Sequence, residues 1–411
     1  MTARSGRDAG RVVIIGGGLA GYSAAEQLRA LGHEAPITLI DAEPTSYDRP
    51  PLSKRLFEDD FSVASLAFTT PERLTDLDIG TLFSRRATAL DPGAASVALD
   101  DGTVVAADTV LLATGGRART LPIPGADLPG VHVLRSFADA IGIRDAVRND
   151  TRVVVIGAGL IGAELASSLV RRGATVTLVD PVAAPLAPAV GELMAEHLHT
   201  MHAAHGVDLV VGITAGIETA DDHLTVTIDD GRMLDADVVI VGVGIIPNSS
   251  LAEDAGLDVD NGILIDSRFR TSANRVFAAG DVARHRAEDG SLRRREEHWE
   301  AAQLSGRESA YGMLGLEVPP RGAAWFWSDR HGVHLEAVGR LSGPGELIVR
   351  AGGAHPAVFL RDGGLLVGAA AIDDNNLVRA ARRLIDLRVP VTPSDLADDT
   401  VSLRALLKAA R

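Results

Sequence analysis

Two short glycine-rich segments carry the clearest chemical signal in the sequence. The first is a G-x-G-x-x-G fingerprint made by Gly16, Gly18 and Gly21, and the apolar run after it ends at an acid, Asp41. The first glycine allows a tight turn, the second lets a pyrophosphate approach the backbone, and the third lets a helix pack against a strand. A carboxylate roughly 20 residues further on can bind the hydroxyls of a ribose. The segment therefore predicts a dinucleotide site, and a glycine-rich structural turn is the alternative.

The second fingerprint repeats this pattern at Gly157, Gly159 and Gly162, and Asp180 ends the apolar run that follows it. An acid at this place favours a free ribose hydroxyl and repels a 2′-phosphate. The next residues, PVAAPLAPAV, contain no Arg or Lys that could hold such a phosphate. The sequence therefore favours NADH over NADPH, unless Asp180 only ends its strand. Two fingerprints predict two dinucleotides, and one flavin with one nicotinamide is the expected pair.

Each fingerprint lies between a predicted strand and a predicted helix. The segments RVVIIGGGLAG and RVVVIGAGLIG begin with β-branched runs, and the helices after them end near Gly32 and Gly173, as expected for C-cap glycines. Alternating runs around an Asp-Asp-Gly turn predict a hairpin followed by a buried strand at 94–118, and a similar hairpin is predicted at 224–248. Another buried strand is predicted at 276–283, and from about residue 325 strands precede one helix, NNLVRAARRLID.

These elements predict an α/β protein with two Rossmann-like dinucleotide-binding domains and a small α+β domain at the C-terminal end. The predicted FAD-binding domain is discontinuous and comprises residues 1–120 and 251–324. The predicted NADH-binding domain comprises residues 121–250, and the C-terminal domain comprises residues 325–411.

The composition limits the remaining chemistry. The 411 residues include no cysteine, which excludes a disulfide scaffold, a thiol nucleophile and a Cys-ligated zinc or iron–sulfur cluster within them. A formal net charge of −15 disfavours binding to nucleic acid or an anionic membrane. The polar start MTARSGRDAG is not typical of a signal peptide, and the apolar stretches fall short of the ~20 residues of a membrane span. We therefore expect a cytoplasmic protein whose redox chemistry depends on a bound organic cofactor.

Several further segments resemble one enzyme family. The segment YDRPPLSK (Tyr47–Lys54) is similar to the flavin-domain signature of the ferredoxin reductases that serve Rieske dioxygenases and cytochromes P450. Later blocks of that family resemble ATGGRAR, VGVGIIPN, RTSANRVFAAGDVA, EHWEAA and WFWSD, in the same order along nearly the whole chain. The resemblance implies a glutathione-reductase-like arrangement within the pyridine nucleotide-disulphide oxidoreductases, an architecture that apoptosis-inducing factor shares.

The resemblance also implies roles for individual residues. Lys54, Glu164 and Trp327 would form the catalytic group, with Lys54 and Trp327 near the flavin ring and Glu164 facing Lys54 and the nicotinamide. Either Asp41 or Glu43 would hold the adenosine ribose. The FAD contacts would be Gly16, Gly18, Leu19, Ala20, Gly21, Asp41, Glu43, Arg49, Lys54, Ala87, Ala113, Thr114, Gly115, Arg135, Gly280, Asp281, Glu297, His298, Trp299 and Trp327. The NADH contacts would be Gly157, Gly159, Leu160, Ile161, Gly162, Asp180, Val243 and Gly244, and no metal is expected.

Some of these residues have a plainer interpretation. Lysines are mostly exposed, so Lys54 taken alone would be a surface residue, and Trp327 taken alone would equally be a core aromatic. The sequence also departs from the family pattern, because Arg330 and Glu336 stand where glutamines are usual. These two positions belong to the edge expected to meet nicotinamide or ferredoxin, so they bear on the choice of partner.

Two groups of like residues also suggest binding sites. His197, His199, His202 and His205 lie along one predicted helix, where a solvated face is favoured over a metal site. The run Arg293-Arg294-Arg295 is usually a solvated loop. With Arg330 it would instead form a docking patch for an acidic ferredoxin, because complementary charge steers encounter.

Together these features predict an NADH:ferredoxin oxidoreductase. Hydride would pass from NADH to FAD, and single electrons would then pass to a [2Fe–2S] ferredoxin on a separate protein that supplies an oxygenase. One alternative is an NADH oxidase or flavin reductase with a small acceptor, although the redox cysteine usual in such oxidases is missing. Another is a flavoprotein scaffold that changes shape in response to NADH.

Overall fold

The computed structural model of the chain describes residues 9–409, and these residues form two compact units. Unit 1 contains the chain up to Arg49 with Asp60–Arg117 and Ile245–Pro320, and unit 2 contains Pro50–Asp59, Ala118–Gly244 and the chain from Arg321 onwards. Residues 1–8, which make up most of the polar start of the chain, and residues 410–411 lie at the ends of the predicted domain ranges and outside the described residues. The three domain ranges stay a prediction. No helix within residues 9–409 is long and apolar enough to cross a bilayer.

The strands are, in chain order, β1 (Val12–Ile15), β2 (Ile37–Asp41), β3 (Ile79–Phe83), β4 (Ala87–Asp91), β5 (Ser96–Leu99), β6 (Val104–Ala106), β7 (Thr109–Leu112), β8 (Gly116–Ala118), β9 (Val131–Val133), β10 (Arg152–Ile156), β11 (Thr175–Asp180), β12 (Val207–Val211), β13 (Thr214–Ala220), β14 (His223–Ile228), β15 (Met233–Ala236), β16 (Val238–Val241), β17 (Ile245–Pro247), β18 (Ile263–Ile265), β19 (Val276–Ala278), β20 (Ala283–His285), β21 (Trp325–Arg330), β22 (Val333–Gly339), β23 (Glu346–Arg350), β24 (Ala357–Asp362) and β25 (Leu365–Ile372).

The α-helices are α1 (Leu19–Ala30), α2 (Pro51–Lys54), α3 (Val63–Leu66), α4 (Pro71–Asp76), α5 (Phe137–Ala146), α6 (Leu160–Arg171), α7 (Ala187–Val190), α8 (Glu192–Ala204), α9 (Ser250–Asp254), α10 (Trp299–Met313), α11 (Asn375–Asp386), α12 (Pro393–Ala397) and α13 (Leu403–Ala409).

The core of unit 1 is a five-stranded parallel sheet in the order β19-β7-β1-β2-β3. β1 pairs with both β2 and β7, so the strand order reverses at β1, and the first fingerprint follows its carboxyl end. In doubly wound sheets this switch point is where ligands bind. All four residues of β1 are buried, as expected for a strand covered on both faces. The predicted hairpin at 94–118 is confirmed as β5 and β6, and the buried β7 follows it.

Unit 2 contains a second parallel sheet of the same design, in the order β12-β11-β10-β16-β9. Here β10 pairs with both β11 and β16, and the second fingerprint follows β10. The hairpin predicted at 224–248 is confirmed as β14 and β15, with the buried β16 after it. Gly32 and Gly173, which follow α1 and α6, have φ angles of 83° and 93°, the left-handed conformation that ends a helix most easily at glycine.

The last part of unit 2 is a five-stranded antiparallel sheet in the order β21-β22-β25-β24-β23. Helices cover both of its faces. Leu377 and Leu384 of α11 belong to the apolar cluster on one face, and Met194 and Leu198 of α8 belong to the cluster on the other. A fully buried leucine or methionine of this kind is stabilised by about 2 kcal/mol relative to exposure. The predicted α+β character of this segment is confirmed.

The four histidines at positions 197–205 form the solvated face expected from the sequence only in part. His202 is fully buried, and its Nδ1 lies 2.8 Å from Nε2 of His331. His205 stacks on His331 with ring centroids 4.3 Å apart, and His197 contacts His355. The expectation is wrong for His202 because this face of α8 meets the turn after β21 instead of solvent. Within residues 9–409, no group of three or more His, Asp or Glu is arranged to hold a metal.

These histidines make the fold sensitive to acid. Burial and the charge of Arg330 lower the pKa of His202 to about 2, while burial and His205 lower that of His331 to about 4. In the unfolded chain both would titrate near 6.5, so between pH 6.5 and 4 the unfolded state binds more protons than the folded state. Linkage then requires the free energy of unfolding to fall as the pH falls through this window, by about 1.4 kcal/mol per pH unit for each histidine.

We therefore expect the thermal unfolding temperature to decrease steeply with acidification in this window. His202→Gln removes the titration of the histidine with the pKa of about 2 and should give a shallower pH dependence, whatever its effect at neutral pH. His223→Gln, on the partly exposed β14, should retain the original dependence. If the unfolding temperature of His202→Gln depends on pH as steeply as that of the unaltered protein, His202 does not contribute to the acid sensitivity.

Candidate functional site

The first fingerprint has no room for side chains at two of its glycines. Gly16 has a φ of 111°, and a Cβ there would clash with the carbonyl oxygen of Ala113 at the end of β7. A Cβ on Gly21 would clash with the carbonyl oxygen of Gly16. At Gly18, by contrast, a Cβ would meet no atom of the chain within 4 Å. The turn is therefore closed on the sheet side and open beside Gly18.

The second fingerprint repeats this arrangement after β10. Gly157 has a φ of 100° and lies against the backbone of Gly242, and a Cβ on Gly162 would clash with the carbonyl oxygen of Gly157. A Cβ on Gly159 would meet no atom within 4 Å. The predicted neighbours Val243 and Gly244 follow β16, and a Cβ on Gly157 would also come close to Cγ1 of Val243.

A carboxylate fixes each fingerprint loop. Asp41 at the end of β2 accepts a short hydrogen bond from the Gly17 N–H and a second, of 2.7 Å, from the Glu43 N–H. Asp180 at the end of β11 accepts from the N–H groups of Ala158, at 2.8 Å, and Val182, at 3.0 Å. The two acids thus occupy equivalent positions. Asp41, not Glu43, contacts the first loop through its side chain, and its role as a ribose ligand stays a prediction.

The two loops fit the pyrophosphate of a dinucleotide. Gly18 is the N-cap of α1 and Gly159 is the N-cap of α6, and neither helix start has a side-chain cap. Backbone N–H groups of a first helical turn are free to bind an anion, which the helix dipole also favours. Each unit therefore contains one such helix start, and beside it lies an open space, the cradle, that a Cβ on the N-cap glycine would fill. Leu19 and Ala20 begin α1, and Leu160 and Ile161 begin α6.

The other predicted FAD contacts of unit 1 follow the ends of its strands and helices. Thr114 donates through Oγ1 to the carbonyl oxygen of Asn248 at 2.8 Å, and Gly115 has a φ of 60°. Gly280 donates its N–H to Ser305 Oγ of α10 at 2.8 Å. Ala113 directly follows β7, Asp281 lies in a short 3₁₀ turn, and Ala87 begins β4.

The segment that leads into α10 orders three further predicted contacts. Trp299, the first residue of α10, donates through Nε1 to Asp48 at 2.6 Å, and His298 is its N-cap. Burial lowers the pKa of His298. Glu297 pairs with the guanidinium of Arg295 at 2.8 Å, and the Arg49 guanidinium lies 5.5 Å from the centroid of the Tyr47 ring. Apart from Arg295, these residues belong to the blocks that carry the family resemblance.

Lys54 lies between two carboxylates within unit 2. Its Nζ is 2.5 Å from Oδ2 of Asp329 and 3.5 Å from Oε1 of Glu164. The same Nζ lies 4.9 Å from the centroid of the Trp327 ring, which stacks on Trp325. The predicted pair of Lys54 with Glu164 is present, and Asp329 is the nearer partner. Arg135, also in unit 2, immediately precedes the N-cap of α5.

Two serines complete the surroundings of Glu164, which is only 5% exposed. Ser53 Oγ donates to its Oε2 at 2.6 Å, and Ser328 Oγ donates to its Oε1 at 2.7 Å. We call Ser53, Lys54, Glu164, Ser328 and Asp329 the Lys54 cluster. α6 also holds α2 in place, because Ser168 Oγ donates to the carbonyl oxygen of Ser53 at 2.8 Å. The cluster therefore depends on α2, α6 and β21.

Asp329 is a site residue that sequence reasoning missed. Burial acts to raise its pKa, but hydrogen bonds from Lys54 and His334 outweigh burial and hold it below its usual value. His334 Nδ1 lies 2.5 Å from the other oxygen of Asp329. Ser53 and Asp329 stand inside the two quoted segments YDRPPLSK and WFWSD. The sequence signal for both residues is that they are polar and lie in the same motifs as the predicted site residues Lys54 and Trp327.

The predicted docking patch needs correction. Arg330 is only 3% exposed, because its side chain points into unit 2 and donates to Ser328. The side chain of Arg295 is 6% exposed and pairs with Glu297. Neither can present its charge to a partner in this structure. Arg293 and Arg294 are exposed and remain as the predicted patch.

Comparisons with known proteins agree with this architecture. Residues 10–306 match the family model described as pyridine nucleotide-disulphide oxidoreductase, and residues 325–407 match the model described as reductase C-terminal. The chain is 35% identical to rhodocoxin reductase of Rhodococcus erythropolis, over 96% of this chain and 93% of that protein. It is 34% identical to the ferredoxin–NAD(+) reductase subunit of the benzene 1,2-dioxygenase system of Pseudomonas putida, over 98% of both.

A solved structure extends the likeness to three dimensions. The reductase chain in the crystal structure of the covalent putidaredoxin reductase–putidaredoxin complex superposes with a TM-score of 0.90 at 33% sequence identity, over 98% of this chain and 99% of that one. Putidaredoxin reductase of Pseudomonas putida is also 35% identical in sequence over 97% of both chains. Similarity therefore extends through both dinucleotide units and the C-terminal sheet.

Fingerprint glycines that have room for a Cβ and those that do not should respond differently to substitution. Gly159→Ala leaves the turn intact but puts a methyl group into the open cradle, so we expect a folded protein whose affinity for NADH is roughly tenfold weaker, as for one lost charge-assisted hydrogen bond. Gly162→Ala places a Cβ against the Gly157 carbonyl and should lower the unfolding temperature before any ligand is added. Equilibrium NADH binding and thermal unfolding measure the two effects, and the reverse pattern would contradict the assignment.

Proposed function

The chain belongs to the pyridine nucleotide-disulphide oxidoreductase family, as a ferredoxin reductase of the kind found in dioxygenase and P450 systems, and we propose that it passes electrons from NADH through FAD to a [2Fe–2S] ferredoxin. This ferredoxin would supply an oxygenase. The observation that carries the proposal is the pair of equivalent fingerprint loops, each with a carboxylate below it and an open helix start above it. The predicted cytoplasmic location is also a proposal.

The absence of cysteine supports the route of the electrons. With no cysteine among the 411 residues, electrons cannot pass through a redox disulfide of this chain, and the chain cannot ligate an iron–sulfur cluster through thiolates. Bound FAD would supply the missing chemistry, since a flavin accepts a hydride and releases electrons singly. The iron–sulfur cluster must then lie on a partner protein.

The residues of the chain have binding and orienting tasks in this scheme. In unit 1 the N–H groups at the start of α1 would bind the FAD pyrophosphate, with Asp41 next to the adenosine ribose. In unit 2 the start of α6 would bind the NADH pyrophosphate, and Asp180 would accept from the ribose hydroxyls. Gly18 and Gly159 leave the backbone accessible for this purpose.

The Lys54 cluster would set the local electrostatics for hydride transfer. The Lys54 ammonium group lies between the carboxylates of Glu164 and Asp329, and these contacts fix its position within the cluster. Fixed charges contribute to catalysis when they are already oriented before reaction. We propose Lys54, Glu164 and Trp327 as the catalytic group, with Asp329 orienting Lys54.

The decisive experiment separates the reductive step from the onward transfer. NADH should bleach the visible absorbance of the bound flavin, and cytochrome c reduction should then depend on an added [2Fe–2S] ferredoxin. Rapid peroxide formation without ferredoxin would instead indicate an NADH oxidase. Slow turnover with every acceptor would indicate an NADH-responsive scaffold, and no bleaching by NADH would refute all three.

Asp180 should set the choice between NADH and NADPH. Asp180→Asn keeps a carbonyl oxygen for the Ala158 N–H but removes the charge that repels a 2′-phosphate. We expect the ratio of kcat/KM for NADH to that for NADPH to fall roughly tenfold, the size of one lost charged hydrogen bond. Asp208→Asn, on the exposed face of neighbouring β12, is the matched control. An unchanged ratio in Asp180→Asn would show that Asp180 only supports the loop.

A further inference from the structure

Arg330 is a buried cation next to the Lys54 cluster. Only 3% of the residue is exposed, and its Nη2 lies 2.8 Å from Ser328 Oγ. Ser328 Oγ in turn lies 2.7 Å from Oε1 of Glu164. The guanidinium and the carboxylate are therefore joined through one hydroxyl group.

The chemistry of arginine sets the direction of both hydrogen bonds. A guanidinium has only donors, so the Ser328 oxygen must accept from Arg330. The single proton of that hydroxyl is then left for Glu164. A glutamine at position 330, as the family resemblance leads one to expect, can either donate or accept through its amide. It would leave the Ser328 hydroxyl free to turn away from Glu164.

The charge of Arg330 acts in the same sense. Burial lowers its pKa to about 10, which still leaves it protonated at neutral pH. A cation within two hydrogen bonds of the Glu164 carboxylate also attracts it, because charges interact more strongly in the protein interior than in water. Other titratable groups on the elements packed here are Lys54 of α2, Asp329 of β21, His334 and Glu336 of β22, His331 in the turn between these strands, Arg171 of α6, and His199 and His202 of α8.

We propose that Arg330 is a positioning residue for the redox reaction, which directs the Ser328 hydroxyl onto Glu164 and so fixes the orientation of that carboxylate next to Lys54. This inference deepens the proposed function and rests on it, because NADH is assigned to the fingerprint at the start of α6, the helix that carries Glu164. A Glu164 carboxylate held in this orientation would favour the cationic nicotinamide of NAD+ over the neutral nicotinamide of NADH.

The test compares the affinities of the oxidised holoenzyme for NAD+ and for NADH. Arg330→Gln removes the obligatory donor, so the Ser328 hydroxyl can turn away from Glu164, and the ratio of NAD+ affinity to NADH affinity should fall roughly tenfold, the size of one lost charged hydrogen bond. The affinity for NADH, whose nicotinamide is neutral, should change less.

Three further variants make the result specific. Arg330→Lys retains a side chain that can only donate and should restore most of the original ratio of NAD+ affinity to NADH affinity. Ser328→Ala removes the linking hydroxyl and should lower the ratio as Arg330→Gln does, which keeps a test available if Arg330→Gln does not fold. Arg379→Gln removes an exposed arginine of α11 and should leave the ratio unchanged.

The outcomes for the inference and for the proposed function are separate. An unchanged affinity ratio in Arg330→Gln, or a fall in Arg330→Lys as large as that in Arg330→Gln, would overturn the positioning role. Ferredoxin-dependent cytochrome c reduction by the unaltered protein tests the proposed function. If that reduction fails, the affinities for NAD+ and NADH can still be measured, so the two tests give separate answers.

Discussion

One steric constraint organises both dinucleotide units: a strand end, a loop and a helix start meet so closely that no Cβ fits between them. Gly16 and Gly21 in unit 1, and Gly157 and Gly162 in unit 2, satisfy this constraint. The close approach fixes where each helix begins, and the helix start defines the cradle. Asp41 and Asp180 then lie directly beneath the loops because β2 and β11 are the next strands in their sheets.

Local spacing was sufficient to predict the fingerprints, their helices, the hairpins and the C-terminal α+β segment. These features depend on residues that are close together in the chain, where glycine, turn and alternation patterns act directly. The contact of Lys54 with Asp329 could not be predicted in this way, because it joins α2 to β21 across most of the chain. The burial of Arg330 and His202 was also mispredicted. Residue type alone favours exposure, and only tertiary packing supplies the partners that make burial tolerable.

The Lys54 cluster shows how such burial is made tolerable. Removing an ion from water is unfavourable by several kcal/mol unless opposite charges and hydrogen bonds replace the lost hydration. Here Glu164 receives two hydroxyl donors and a lysine, and Lys54 has a second carboxylate that remains partly exposed. The charges are thus distributed over three elements of unit 2, so that the position of each depends on the packing of the others.

The antiparallel sheet at the end of the chain has helices on both faces, α11 on one and α7 with α8 on the other. The helices on the two faces belong to segments that match different family models. α7 and α8 lie in the segment that matches the oxidoreductase model, whereas the sheet and α11 lie in the segment that matches the reductase C-terminal model. Neither segment is therefore an independent module. Recombination between relatives would be tolerated only where α8 and the sheet are inherited together, so the pair is expected to evolve as one unit of exchange.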